Sequence, residues 1–328
     1  MGFIEDTTEE LFAYLPPQTK REDFDAFWAD TLRQAKAVPL QPERAPADYP
    51  SPYVRVYDIS YCGFDRTRIH GWFVVPSFTG KSSYPCLINY HGYTGNRGMP
   101  EDFMVWAMQG VAVLSVDCRE QSGETGNSAA YSCGSVQSVV SKGLLDKNEY
   151  YYRAVYMDCL KAIDFALTCP EVHADRIIIH GGSQGGALGM AVCSLDQRPW
   201  LAMLDVPSNS NLERRVEGAH GSFAQVTEYL KKYPDRIARV YETLSYFDTM
   251  NMAERIRCPV LASVGLMDNV CPAKCYFASY NRIQSPKDIK LYPFNGHEGG
   301  HAAHLRCKLE FLRRHMQAAD AQAGEVTP

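Results

Sequence analysis

The sequence predicts an α/β protein, with a mainly parallel sheet covered by helices on both faces, and three features of the chain predict it. Short, almost wholly apolar runs recur along most of its length, as strands buried on both faces require. Stretches with helical spacing separate those runs. The chain has 328 residues, 45% hydrophobic and 22% charged, enough to build and cover such a sheet as one large domain.

Residues 21–36 read as an amphipathic helix, because Phe24, Phe27, Trp28 and Leu32 share one face. A Pro-rich connection over 39–52 ends it. Residues 53–57 and 69–75 read as two strands, and Gly63-Phe64-Asp65 between them suits a hairpin. Residues 86–90 form a buried strand, followed by a helix near 101–109 and a strand over 111–116. Beyond a long Gly/Ser-rich loop come a helix over 150–167 and a strand over 176–180. Further strands are predicted at 201–205, 259–265 and 288–292, with a last helix near 302–317. All of 1–328 is expected to form a single domain. Residues 1–50 make an N-terminal extension, 208–255 a polar helical insert, and 318–328, which lack apolar periodicity, a disordered tail.

Composition excludes several partners. The formal net charge is −5 and there is no long basic run, so nucleic acid is not an expected partner. Glu5 and Asp6 stand where a signal peptide needs a basic start, and no stretch has the roughly 18 apolar residues of a membrane span. Eleven cysteines without a CxxC pair read as reduced and mostly buried thiols. A cytoplasmic location is the expectation.

The chemistry is concentrated at Gly181-Gly182-Ser183-Gln184-Gly185-Gly186. G-x-S-x-G is a weak pattern alone, and a capping serine in a Gly-rich connection would satisfy it. Here it follows an apolar strand and opens a helix. A serine so placed sits on a tight turn, its hydroxyl exposed and a helix N-terminus aimed at it. That is the setting of a nucleophile in an α/β-hydrolase, where acid and then histidine follow in chain order. His297, in the turn Asn295-Gly296-His297 after the last strand, is placed to be the base. Two carboxylates, Asp268 and Asp205, each follow a predicted strand, and position relative to the last strand favours Asp268. The backbone N–H of Gln184 and that of Tyr93, freed to turn by Gly92, are the candidate oxyanion donors. His91 reads as a packing or hydrogen-bonding residue.

A competing pattern overlaps the base. His297-Glu298-Gly299-Gly300-His301 fits H-E-x-x-H, a zinc-hydrolase signature, with His304 nearby. That chemistry needs both histidines on one helix face, and two interior glycines after Asn295-Gly296 are poor helix material. No metal or other cofactor is therefore expected. A hydrolase fold used for binding alone is a further alternative, against which the presence of all three catalytic residue types argues.

The chain resembles carbohydrate esterase family seven, the acetyl xylan esterases and cephalosporin C deacetylases. The resemblance rests on Asp23-Phe24-Asp25-Ala26-Phe27-Trp28, Tyr90-His91-Gly92-Tyr93, Tyr150-Tyr151-Tyr152-Arg153, the serine segment, Thr243-Leu244-Ser245-Tyr246-Phe247-Asp248, Ser263-Val264-Gly265-Leu266-Met267-Asp268 and Gly296-His297-Glu298-Gly299-Gly300. It implies a serine esterase with Ser183, Asp268 and His297 as triad and Tyr93 and Gln184 as oxyanion donors. The implied substrate is a small acetylated carbohydrate, such as an acetylated xylo-oligosaccharide, or cephalosporin C. No metal, an intracellular location and a ring-shaped homohexamer are implied with it. A general short-chain carboxylesterase of the same fold is the alternative. Two departures stand out. The family's Arg-Gly-Gln scaffolding motif reads Arg119-Glu120-Gln121, which questions the local loop geometry. After Asp205-Val206-Pro207, where the family turns apolar, this chain has Ser208-Asn209-Ser210-Asn211, which predicts a more polar pocket.

Overall fold

In the computed structural model, which describes residues 2–325, the chain opens with helices α1 (Gly2–Ala13) and α2 (Phe24–Ala37). Strands β1 (Glu43–Ala47), β2 (Val54–Cys62), β3 (Arg68–Pro76) and β4 (Tyr84–Tyr90) follow, then the short α3 (Met104–Ala107) and β5 (Ala112–Val116). Next come α4 (Tyr151–Thr168), β6 (Val172–Gly182), α5 (Gln184–Leu195) and β7 (Pro199–Asp205). The predicted insert holds α6 (Leu212–Glu217), α7 (Ala224–Lys232) and α8 (Ile237–Ser245). The chain closes with β8 (Val260–Gly265), α9 (Ala273–Tyr280), β9 (Lys287–Tyr292) and α10 (His301–Glu325).

The strands make one nine-stranded sheet in the order β1-β2-β3-β5-β4-β6-β7-β8-β9. The first three and the β3–β5 pair are antiparallel, and every pair from β5–β4 to β8–β9 is parallel. Alternation along β6 shows how the two faces are filled. Ile177 and Ile179 join a core with Ile163 of α4 and Leu188 of α5, whereas Ile178 joins a second core with Trp106 of α3 and Phe311 of α10. On the N-terminal side, Trp28 of α2 stacks on Tyr156 and meets Phe247 edge-on, which docks the extension onto the first core.

Two elements lie outside the expectations. α1 is helical in a stretch read as extension, and β1 lies inside the Pro-rich connection. β1 is an edge strand, where Pro46 costs no interior ladder bond, and it has no fully buried side chain to mark it as a strand. The expected disordered tail is corrected in part. α10 continues through 318–325, carried by the helix-forming run Ala318-Ala319-Asp320-Ala321 and an Arg176–Asp320 ion pair of 2.9 Å, while 326–328 lie outside the described residues. All eleven cysteines are unpaired and nine are buried. No described helix is long and apolar enough to cross a membrane.

Parallel strands send their following loops to one edge of the sheet, and there β4, β6, β8 and β9 deliver residues 91–95, Ser183, Asp268 and His297.

Candidate active site

Ser183 sits between β6 and α5 at φ 58°, ψ −118°, a conformation that a residue with a Cβ adopts only under constraint. Backbone bonds supply the constraint. Ser183 N–H donates to Asp205 O at 2.9 Å, and Ser208 N–H donates to Ser183 O at 2.9 Å. The glycines of the motif allow the helix to seat on the sheet. A Cβ on Gly185 would stand 1.9 Å from Tyr90 O, and one on Gly181 would stand 2.8 Å from the same atom. The start of α5 therefore rests directly on the end of β4 and brings the 91–95 loop beside the serine.

His297 completes a chain of hydrogen bonds. Its Nε2 lies 2.9 Å from Ser183 Oγ, and its Nδ1 lies 2.8 Å from Asp268 Oδ2. Asp268 Oδ1 accepts from Val270 N–H (2.7 Å) and Cys271 N–H (2.8 Å), so the carboxylate is fixed from both sides. The Asp268 carboxylate, and after it Cys271, hold the imidazole above its ordinary pKa.

Of the two candidate acids, the structure thus brings Asp268 to the histidine. Asp205 turns the other way and pairs with Lys308 at 2.6 Å and His304 at 2.9 Å. Burial pushes its carboxyl up, but the hydrogen bond with His304 and the charge of Lys308 hold it well below the usual carboxylate range. Lys308 Nζ in turn lies 3.0 Å from His180 Nε2, and burial together with Lys308 holds that imidazole down at about 3.

Tyr93 and Gln184 both border a cavity of about 260 Å³ that contains Ser183 and His297. Neither backbone N–H has a hydrogen-bond partner among the described residues. The Gln184 side chain is clamped by Tyr152 Oη (3.0 Å) and Gln121 Nε2 (3.1 Å), which fixes its backbone in place. His91 accepts from Cys118 N–H at Nε2 (2.8 Å), which puts its proton on Nδ1, 2.7 Å from Gly92 O. It is a loop brace, as expected.

The H-E-x-x-H pattern does not form a helical site. Residues 297–300 are turn, α10 begins at His301, and Glu298 caps its own turn by accepting from Gly296 N–H at 3.0 Å. Asp268, Cys271 and His297 are the one group of three metal-ligand types found together among the described residues, within 4.8 Å. Both His297 nitrogens and both Asp268 oxygens already have hydrogen-bond partners there.

The model of the acetyl xylan esterase family (AXE1) matches residues 1–315. The chain belongs to the acetyl xylan esterase family. Among solved structures it resembles the acetyl xylan esterase from Paenibacillus sp. R4, at 40% identity and a TM-score of 0.90, over 93% of this chain and 98% of that one. It also resembles acetyl xylan esterase 1 from Thermoanaerobacterium sp. JW/SL YS485, at 30% identity and a TM-score of 0.86, over 92% and 96% of the two chains. The acetyl esterase Axe7A of Xylanibacter ruminicola is 29% identical over 296 residues, 86% of this chain, and the match spans 65% of that longer protein.

Against this family's pattern the two departures now have places. Arg119 is fully buried and forks onto Asp158 at 2.7 and 2.8 Å, with Asp65 at 2.8 Å, so it ties its loop to α4 and to the turn between β2 and β3. Glu120 replaces the family's glycine at φ 56°, a left-handed position. Its carboxylate is held by Asn127 Nδ2 at 2.6 Å and by Lys142, contacts that offset the strain. Glu120→Gly and Glu120→Ala both lose these contacts, but only alanine keeps the strain. Denaturant melts should therefore find the glycine variant more stable than the alanine variant by about 1 kcal/mol. An alanine variant as stable as the glycine one would contradict this.

The second departure is a correction to the expected polar pocket. Ser208 borders the cavity, but Asn209 donates to Tyr156 Oη (3.1 Å), Ser210 to Cys275 O (2.7 Å) and Asn211 to Tyr14 Oη (2.9 Å). Three of the four polar residues knit the insert to α4, α9 and the N-terminal extension. The sequence reading also missed cavity residues, Cys271 and Arg215 among them. Cys271 Sγ lies 4.0 Å from Ser183 Oγ.

Proposed function

We propose that this chain is a serine esterase that removes acetyl groups from carbohydrate-like alcohols, such as acetylated xylo-oligosaccharides, through an acyl-enzyme on Ser183. The observation that carries the reading is the unbroken Ser183–His297–Asp268 relay, with distances of 2.9 and 2.8 Å, beside two backbone N–H groups that have no partner among the described residues. In this mechanism His297 Nε2 takes the Ser183 proton as Oγ attacks the ester carbonyl. Asp268 holds the ring in the tautomer with its proton on Nδ1 and stabilises the imidazolium that forms. The N–H groups of Tyr93 and Gln184 receive the oxyanion. The imidazolium protonates the departing alcohol, then His297 activates a water that attacks the acetyl-serine and releases acetate. Family resemblance supports extending the proposal to cephalosporin C, to a cytoplasmic location and to a homohexamer.

Acetate release from acetylated xylo-oligosaccharides tests the reading, together with kcat/KM for 4-nitrophenyl acetate, butyrate and octanoate. We expect acetate release and a fall in kcat/KM with acyl length. A profile rising to octanoate, with no acetate released from the oligosaccharide, would point instead to a general esterase.

A further inference from the structure

The two most deeply buried arginines have opposite surroundings. Arg119, 0% exposed, is neutralised by Asp158 and Asp65. Arg215, 1% exposed, is an α6 residue that borders the same cavity as Ser183 and His297. It has no carboxylate within ion-pair distance among the described residues. Nη2 serves the carbonyls of Val270 (3.0 Å) and His220 (3.5 Å). Nε is enclosed with no hydrogen-bond partner among the described residues, and the Cys271 thiol is the other polar side chain that the guanidinium meets. The Phe223 ring, 5.2 Å from the guanidinium, is a weak partial substitute for an anion.

Removing a cation from water without a counter-charge is costly, and a buried cation that borders the reaction cavity with no carboxylate beside it can receive an anion carried in by the ligand. This one is close to the reacting atoms. Arg215 holds the Val270 carbonyl, the next residue is Cys271, and Cys271 Sγ lies 4.0 Å from Ser183 Oγ. Burial pushes the Cys271 thiol up, yet Arg215 together with His297 brings it below its ordinary value, so the guanidinium's field reaches the nucleophile's neighbour. Two further polar residues that border the cavity, Ser208 and Ser222, are neutral and bring no carboxylate to the guanidinium.

We propose that Arg215 binds a carboxylate carried by the ester itself, so that this chain prefers acidic esters over neutral ones of the same size. The carboxylate can be carried on the alcohol side, as in an acetylated sugar acid, or on the acyl side, as in the half-ester of a dicarboxylic acid. The proposal rests on the esterase reading of the Ser183 site and narrows its substrate class.

Two matched pairs separate these sources. Acetylated methyl glucuronide against acetylated methyl glucoside tests the alcohol side, and 4-nitrophenyl hemisuccinate against 4-nitrophenyl butyrate tests the acyl side. The expected result is a preference in kcat/KM for the acid of one pair, on the order of tenfold to a hundredfold, as a charge-assisted hydrogen bond provides. Arg215→Met should bring that acid-to-neutral ratio close to one, and Arg215→Lys should leave it intermediate. Because the readout is a ratio within one protein, a general loss of activity does not mimic it. If Arg215→Met fails to fold, Arg215→Gln and the wild-type ratios carry the comparison. Wild-type ratios near one in both pairs would overturn the proposal, as would a preference that survives loss of the charge. Absence of turnover on all four esters would instead defeat the esterase reading on which it rests.

Discussion

Ser183→Ala should lower kcat for 4-nitrophenyl acetate by on the order of 10⁵ while leaving the fold intact. The size follows from the role, since without Oγ there is no acyl-enzyme, and what remains is a cavity that binds and polarises the ester. The fold should survive because the bonds that shape the turn are made by the main chain. Ser183 N–H to Asp205 O and Ser208 N–H to Ser183 O do not use the hydroxyl, and alanine meets the positive φ with the same Cβ as serine. An unchanged melting temperature would separate loss of chemistry from loss of structure. Activity within tenfold of wild type would mean that another group attacks the ester, and Cys271, 4.0 Å away, would be the first to examine.

Asp268→Asn should lower kcat by up to ~10⁴ near neutral pH, because an amide can donate to Nδ1 and so favour the tautomer whose proton faces Ser183. It should also move the pH profile. Asp268 favours the imidazolium and raises the His297 pKa, and only the neutral ring can act as base. Activity in the wild type is therefore present above that raised pKa and lost as pH falls through it. Without the carboxylate the pKa drops, so the acid limb should shift to lower pH even as the plateau falls. Asp205→Asn should behave differently. It leaves Lys308 buried without its counter-charge, so the loss, about 3–5 kcal/mol, should appear in stability rather than in kcat. If Asp205→Asn lowers kcat more than Asp268→Asn in variants that both fold, the relay has the wrong acid.

The relay was legible in the sequence because each member is announced by local chemistry. Gly181 and Gly185 let the strand and helix of the serine turn approach closely, and Asp268 and His297 each follow a recognisable strand. Position relative to the last strand already favoured Asp268 over Asp205, and the 2.8 Å contact with His297 agrees with it; what needed three dimensions was the place of Asp205. Lys308 and His304, one turn apart on the final helix, both meet Asp205, a contact that nothing in the local sequence announces. Arg215 was hidden for a similar reason. Glu213-Arg214-Arg215 in a short polar helix looks solvent-facing, and only the packing of α6 against the 268–271 loop shows that the second arginine is buried. The segment 208–211 misled in the other direction, because polarity next to a nucleophile suggested a polar pocket, whereas most of it faces the insert's own anchors.

The central claim is that Ser183 is the atom that becomes acylated, and a covalent label reads this most directly. A serine-directed phosphonate mimics the tetrahedral intermediate and should add once per chain, with loss of activity in proportion to labelling. Peptide mapping by mass spectrometry should place the adduct on Ser183, and the Ser183→Ala variant should remain unlabelled. An adduct on Cys271 or His297, or full labelling of Ser183 with esterase activity undiminished, would contradict it.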